Sequence, residues 1–532
     1  MALGAKNLKN LRASITLLKP PSLSTDTWTR RRLFPAAACI ISGLALAAAF
    51  PKWNQTYFLP IALWPLFYAL QGQSPKRAFW LGFVFGLAFY SGLLYWIAYV
   101  TRVFGNLPLP LALGVMLLLA AVLSLYRAFW AAGVAWAAHR GISPLWTAPN
   151  FWVVSEFIQA HFPFGGFPWE LLGYGLYRYP MLIQVADVTG VYGLSFLVVL
   201  VNVLLFLMTH RKFGPLVHSM RHEALPLLLI MVCVGYNAHR LDAVKRLTAA
   251  SPKIPVAVTQ GNIKQGEKWN PQMVHTTLDR YAELTARSKG ARLIIWPETA
   301  APFFFIRTPD FTAKVVDIAK QSGAYLLFGA PAWELTEAGE RYFNRAYLLT
   351  PKGEVTGYYD KAHLVPYGEY VPLQKIFFFI PKMVPMIGDF AEGPVGTTLS
   401  LPEGPIGVLI CFESIFPYLA RAQIKNGARL LVNITNDAWY GETSAPYQHM
   451  SMAVLRAVEG RVALARAANT GISAFIGPDG KILWTSGMNV PAAHTLELPW
   501  LPGGSLYTRF GDVFAWICLV YTALVFFLFR KR

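Results

Sequence analysis

ARLIIWPETA, residues 291 to 300, runs four apolar residues into a proline and then a glutamate. A short unbroken apolar run of this kind fits a strand covered on both faces, as in a parallel sheet. Pro297 has no amide hydrogen to give to a ladder, so the strand must stop there and leave Glu298 at its carboxyl end. IGVLICFESIFP (406 to 417) repeats the arrangement, with the run Gly407 to Ile410 closing on Cys411. Carboxyl ends of strands are where open α/β sheets bind ligands, so a carboxylate and a thiol are candidates for one crevice. Around them, IPVAVTQGN (254 to 262) reads as a further strand and PQMVHTTLDRYAELTARS (271 to 288) as a helix. Residues 251–502 contain no stretch that could cross a bilayer and alternate short apolar runs with amphipathic helical patterns, as expected of a soluble α/β domain.

A third stretch, YYDKAHLVPYGEYVP (358 to 372), holds Lys361 among aromatic and apolar residues. Alone, Lys361 fits a surface strand lysine and Glu298 a capping carboxylate. Together with Cys411 they make a chemical set. A thiol that attacks an acyl group needs a base for its proton and a cation or N–H donors where the oxyanion develops. The carboxylate alone would disfavour the thiolate by like-charge repulsion, and a nearby ammonium offsets that.

Outside this domain the composition changes. Of 532 residues, 55% are hydrophobic and 14% charged, and the mean hydropathy is +0.40, beyond the range of a wholly soluble protein. Seven long apolar stretches lie between Leu33 and about residue 240: 33–50, 57–70, 79–100, 107–126 with an extension to 138, 145–162, 191–208 and 224–238. An eighth, 513–529, closes the chain, so a bundle of about eight spans is expected. The expected division is a basic tail (1–32), a membrane part with spans one to seven (33–240), the α/β domain (251–502), and a last span with its end (510–532). Lysines and arginines gather in the tail, in the loops after spans two, four and six, and at Arg530 to Arg532. Basic loops stay cytoplasmic, which places both termini inside and the α/β domain outside. TRRRLF (29 to 34) loosely resembles a twin-arginine signal, but an ordinary positive-inside anchor is the simpler reading. Arg127 falls within the extended fourth span and must snorkel or face protein. These basic loops account for much of the net charge of +19, so no nucleic-acid partner is called for.

The four cysteines do not form a disulfide framework. Cys39, Cys233 and Cys518 lie in apolar stretches, where a thiol packs as a small hydrophobe. Cys411 alone remains for chemistry.

WPET (296 to 299), DKAHLVPYGEYVP (360 to 372) and GVLICFES (407 to 414), in that order, resemble the nitrilase superfamily. Combined with the expected spans, this narrows the resemblance to the apolipoprotein N-acyltransferase family, over nearly the whole chain beyond the first thirty or so residues. The resemblance implies an αββα sandwich domain on the outer side of a bacterial inner membrane. It makes Glu298 the general base, Lys361 the oxyanion stabiliser and Cys411 the nucleophile that becomes a thioester, with Glu369 and Glu413 in support. Asn344, Trp439 and Tyr440 fall in matching segments, as does Trp169 in FPFGGFPWELLGYG (162 to 175), a stretch that equally fits an interfacial aromatic belt. The family often has tyrosine after the nucleophile, where this chain has Phe412. The implied reaction carries an acyl chain from a phospholipid, phosphatidylethanolamine in keeping with the family, through Cys411 to the amino group of an S-diacylglyceryl cysteine on an apolipoprotein. It implies no metal and no organic cofactor.

An acyl donor held in the bilayer requires the site to come to the lipid. PFFFIRTP (302 to 309) and KIFFFIPKMVPMIGDF (375 to 390), which includes Phe378, are read as arms that dip into the outer leaflet; ordinary core packing is the alternative. Other readings of the whole chain are a membrane-anchored amidase or nitrile hydrolase with water as acceptor, a transporter or receptor with an inactive outer domain, and a structural assembly protein.

Overall fold

The computed structural model describes residues 28–210, 221–337, 339–366, 368–370 and 390–530. Among these, twelve strands form two six-stranded sheets. The first has the order β12 (Ala492–Pro499), β1 (Lys253–Gln260), β2 (Leu293–Ile295), β3 (Tyr325–Thr336), β4 (Gly339–Leu349), β5 (Val355–Asp360). The second runs β11 (Ile482–Thr485), β10 (Ala474–Ile476), β9 (Ala463–Ala468), β8 (Leu430–Thr435), β7 (Gly404–Ile410), β6 (Thr398–Leu401). In each sheet three neighbouring strands are parallel, β1-β2-β3 and β7-β8-β9, and the remaining pairs are antiparallel.

Strand alternation explains the layers. Val256, Val258, Leu293, Ile295 and Leu327 share one core with Val408, Val432, Ile434 and Ala465 of the other sheet. Ala257, Ile294, Leu326 and Phe328 face the opposite way, onto Leu278, Tyr281 and Leu284 of helix Val274–Ala286 and Val315, Ile318 and Ala319 of helix Pro309–Ser322. Helices Pro417–Lys425 and Ala445–Gly460 pack on the second sheet. Successive side chains of a strand point to opposite faces, so a strand covered on both sides must be apolar throughout. That is why β2 reads as an unbroken Leu-Ile-Ile.

The same outer core corrects one expectation. Phe303 and Phe305, read as part of a membrane-dipping arm, are buried among Phe311, Phe328 and Tyr347, while Ile306 is exposed. Burying a phenylalanine contributes about 2 kcal/mol, so a local core outcompetes the lipid surface for these two rings. Phe378 and nearly all of the second arm lie outside the described residues.

In the apolar part, Leu109–His139, Val191–Thr209 and Ala224–Ala250 are helices long and apolar enough to cross a membrane. Pro75–Leu93 and Trp96–Val103, bent by 56°, make a fourth if counted together. Leu33–Ala48 and Val513–Phe529 are apolar helices of shorter length. The second expected span departs most: 57–70 divides into the 3-10 turn Thr56–Phe58 and the helix Trp64–Leu70. Seven helical residues rise only about 10 Å. Pro60 and Pro65 lack the amide hydrogens that a continuous helix there would need, and Pro65 falls in the first turn of the short one. Arg127 faces protein, with 2% of its surface exposed.

Candidate active site

Each of the three expected residues follows a strand end. β2 stops at Ile295, and Trp296 and Pro297 lead directly to Glu298. Lys361 follows the last residue of β5, and its amide donates to the Asn344 carbonyl of β4 at 2.9 Å, extending the ladder by one bond. Cys411 follows β7 and opens the 3-10 turn Cys411–Ile415 with φ of +54°. A side chain with a β-carbon rarely adopts this left-handed conformation. Such strain persists only where the surroundings enforce it, here at the turn that aims the thiol.

All three side chains are buried. Lys361 is not the surface strand lysine that its stretch also fits: it is 1% exposed, with its ammonium 2.8 Å from Glu369 Oε1 and 4.0 Å from Glu298 Oε1. Asn344 Nδ2 donates to both carboxylates, at 2.7 Å to Glu298 and 3.1 Å to Glu369. The other Glu298 oxygen accepts from the Asn436 amide at 2.9 Å, and the other Glu369 oxygen from the Val365 amide at 2.9 Å. Burial lowers the Lys361 pKa, but the charges of Glu369 and Glu298 outweigh it and hold the ammonium protonated. Burial pushes the Cys411 thiol up to about 12; the Glu298 charge adds to this and Lys361 opposes it. Cys411 therefore rests as a thiol, and a nucleophilic role would require a base to take its proton. Glu298 is the carboxylate whose charge acts on that thiol.

Glu413 is arranged differently. It accepts from Tyr359 Oη (2.9 Å) and from the amides of Ala362 (2.6 Å), His363 (3.1 Å) and Ile410 (2.6 Å). Burial pushes its carboxyl up to about 7 against those donors. It ties the segment after Lys361 to the strand that ends at Cys411, so it holds the two elements in register and has no oxygen free of donors for chemistry.

The aromatic candidates divide. Trp169 is not an interfacial belt residue: it is buried, donates to Gln448 Oε1 at 2.8 Å and stacks on Phe412 with ring centres 6.4 Å apart. Phe412 thus supplies aromatic bulk beside Cys411. Tyr440 packs against Trp96 and Trp169. Trp439 packs edge-on against Phe104, 4.8 Å away, just past the end of the helix Trp96–Val103.

Several participants were missed in the sequence. The Asn436 amide binds Glu298, and the motif NDAWYG (436 to 441) already held it. Behind Cys411, the His449 imidazole lies 3.0 Å from the Cys411 carbonyl and 3.0 Å from Asp437, which Arg466 also grips at 2.7 Å. Burial drives His449 toward its neutral form; Asp437, despite its own burial, is held at about 2 by Arg466 and His449. Lys268 was the least legible: it sits in GNIKQGEKW (261 to 269) with no local pattern to mark it.

Residues 42–204 match the family model described as "Apolipoprotein N-acyltransferase N-terminal domain" and residues 255–490 that described as "Carbon-nitrogen hydrolase". The apolipoprotein N-acyltransferase of Geobacter metallireducens is 44% identical over 93% of this chain and 95% of its own length. That of Methylococcus capsulatus is 33% identical over 89% and 92%. Among solved structures, an amidase from Nesterenkonia sp. is 23% identical, covering 50% of this chain and 96% of its own, with a TM-score of 0.37. With one family model on each half and relatives aligned across both, the chain belongs to the apolipoprotein N-acyltransferase family.

Proposed function

We propose that the chain moves a fatty acyl group from a membrane phospholipid to the α-amine of an S-diacylglyceryl cysteine on an apolipoprotein, through a thioester at Cys411. In the first half, Glu298 takes the thiol proton as sulfur attacks the ester carbonyl of the donor, phosphatidylethanolamine in keeping with the family. The Lys361 ammonium stabilises the oxyanion. The lysophospholipid oxygen leaves with the proton that Glu298 held, and the acyl group remains on sulfur. In the second half Glu298 takes a proton from the attacking amine, the C–N bond forms, and the thiolate departs and is reprotonated. Lys361 keeps its proton throughout, which suits an electrostatic role.

The membrane part follows from the donor. A long acyl chain gains about 0.8 kcal/mol per buried CH2, so it stays in the bilayer and the site must sit at its surface. In this reading eight apolar segments anchor the chain in a bacterial inner membrane, the second of them interrupted. Residues 1–32 form a cytoplasmic tail, 33–240 the membrane part, 251–502 an extracytoplasmic catalytic domain, and 510–532 the return span. Glu369, Asn344 and Glu413 position the triad, and Trp169 and Tyr440 line the approach to Cys411.

The observation that carries the proposal is the convergence of three buried strand ends: Glu298 lies 4.0 Å from the Lys361 ammonium, and Glu413 ties the residue after Lys361 to the residue before Cys411. The test is intact mass of the detergent-solubilised chain after incubation with phosphatidylethanolamine, beside Cys411→Ala. One acyl chain added to wild type alone, and removed by hydroxylamine, is the expected result. Fatty acid released with no adduct would turn the reading to a hydrolase with water as acceptor.

A further inference from the structure

Lys268 closes the short helix Gln265–Lys268 and is 3% exposed. Its ammonium carries three N–H donors, yet it has one hydrogen-bond partner among the described residues, the peptide carbonyl of Glu298 at 2.9 Å. A carbonyl clamp does not need a charge, since a neutral amide would serve, and an ammonium buried for that purpose alone is costly.

The charge has a use in the site's balance. Glu298 and Glu369 are two carboxylates that share one ammonium, Lys361. Asp437 is paired with Arg466. With Lys268 counted, the two carboxylates meet two cations. When the Cys411 proton moves to Glu298, the negative charge passes from carboxylate to sulfur and this sum does not change. Without Lys268 the thiolate would form in a buried site that already holds an excess negative charge. The charges that act on the thiol are those of Glu298, Lys361 and Asp437, and the Cys411 charge in turn acts on Lys268. Burial pushes Lys268 down to about 8 while the charges of Glu298 and Cys411 oppose it, which leaves it protonated at neutral pH.

We propose that Lys268 is a positioning residue for acyl transfer: anchored on the Glu298 carbonyl, it supplies the second positive charge that makes the Cys411 thiolate accessible. The role rests on Cys411 being the nucleophile, as in the function proposed above, but not on the identity of the acyl donor.

The test uses the full chain in detergent. Lys268→Gln keeps a donor for the carbonyl and removes the charge, whereas Lys268→Arg keeps the charge. The readout is the rate of Cys411 alkylation by iodoacetamide from about pH 6 to about pH 10, followed by peptide mass, with acyl-enzyme formation from phosphatidylethanolamine measured in parallel. Lys268→Gln is expected to alkylate about 10-fold more slowly at neutral pH, with the difference from wild type narrowing above about pH 8, where Lys268 itself loses its proton. Lys268→Arg should stay within about threefold of wild type. Removing one cation from a buried set of charges destabilises, so the melting temperature of Lys268→Gln should fall, and rates are compared on the folded fraction. Lys268→Met is the second neutral variant if Lys268→Gln does not fold. Wild-type alkylation in either neutral variant, or equal slowing in the glutamine and arginine variants, would overturn the role. Slowed alkylation of Lys268→Gln with no acyl adduct from phospholipid in any variant would sink the proposed donor and support Lys268.

Discussion

Two buried cations, one in each half of the molecule, show how different surroundings suit the same charge to different work. Lys361 is 1% exposed and Arg127 is 2% exposed. Lys361 meets carboxylates, Glu369 at 2.8 Å and Glu298 at 4.0 Å. Arg127 meets neutral groups: its guanidinium donates to Tyr90 Oη (3.1 Å), Ser155 Oγ (2.7 Å) and Gln159 Oε1 (2.9 Å) and lies over the Trp152 ring at 4.2 Å. Among the described residues it forms no ion pair. A cation among groups whose charge changes during a reaction can stabilise a transition state. One held by neutral acceptors and an aromatic face has its donors satisfied and knits helices together.

The largest effect is expected at Lys361. Lys361→Met should slow acyl-enzyme formation by about 10²- to 10³-fold, the usual cost of removing an oxyanion donor. It also leaves two carboxylates without their cation, so the melting temperature should fall, in line with about 3 kcal/mol for breaking a buried pair. Single-turnover acylation measured on the folded fraction separates the two losses. Wild-type acylation in that fraction would show that Lys361 serves only to hold Glu298 and Glu369.

How much of this was readable in the chain depends on how local the cause was. Pro297 ends a strand through its own covalent chemistry, so Glu298 could be placed from ten residues. Cys411 was legible for a similar reason, at the close of an apolar run. Lys361 was ambiguous because burial is a tertiary property: one lysine after one strand fits a surface equally well until the Glu369 and Asn344 side chains are placed around it. Phe303 and Phe305 were misread for the same reason. A run of three phenylalanines does not say whether the nearest apolar surface is lipid or the ring of Phe328. Lys268 reaches the site through the carbonyl of a residue thirty positions away, a contact with no sequence signature. In the apolar half, hydropathy marked where helices lie, while Pro60 and Pro65 decided where the second breaks.

Arg127 gives the converse test, with a smaller effect. Arg127→Met removes the charge while the Tyr90 hydroxyl keeps its bond to Gln159 Oε1 at 2.8 Å and Ser155 its bond to the Trp152 carbonyl at 2.8 Å. No partner is stranded, so the expected cost is about 1–2 kcal/mol of lost hydrogen bonding, seen as a modest fall in melting temperature in detergent. Acylation should remain within about threefold of wild type. Loss of acylation at an unchanged melting temperature would make Arg127 a functional group and dissolve the contrast with Lys361.

The smallest effect concerns how far the Lys361 charge reaches. His363, two residues on, packs on Phe416 with ring centres 3.9 Å apart and lies 2.9 Å from the Tyr418 hydroxyl through Nδ1. Burial pushes its pKa down to about 4, and the Lys361 charge adds to this while Glu369 opposes it. Between about pH 4 and pH 6.5 the unfolded chain binds a proton at His363 that the folded chain refuses, so this residue's contribution to stability falls on acidification through that window. The full displacement corresponds to at most about 3 kcal/mol, and a partly exposed ring realises less. His363→Gln should flatten the melting temperature against pH relative to wild type from about pH 6.5 downward, with the two curves converging in shape above it. Lys361→Met should give part of the same flattening with the histidine intact, because His363 then titrates nearer its ordinary value. If Lys361→Met leaves the acid limb as steep as wild type while His363→Gln flattens it, burial alone governs His363, and the field of Lys361 is confined to the carboxylates and the thiol it directly serves.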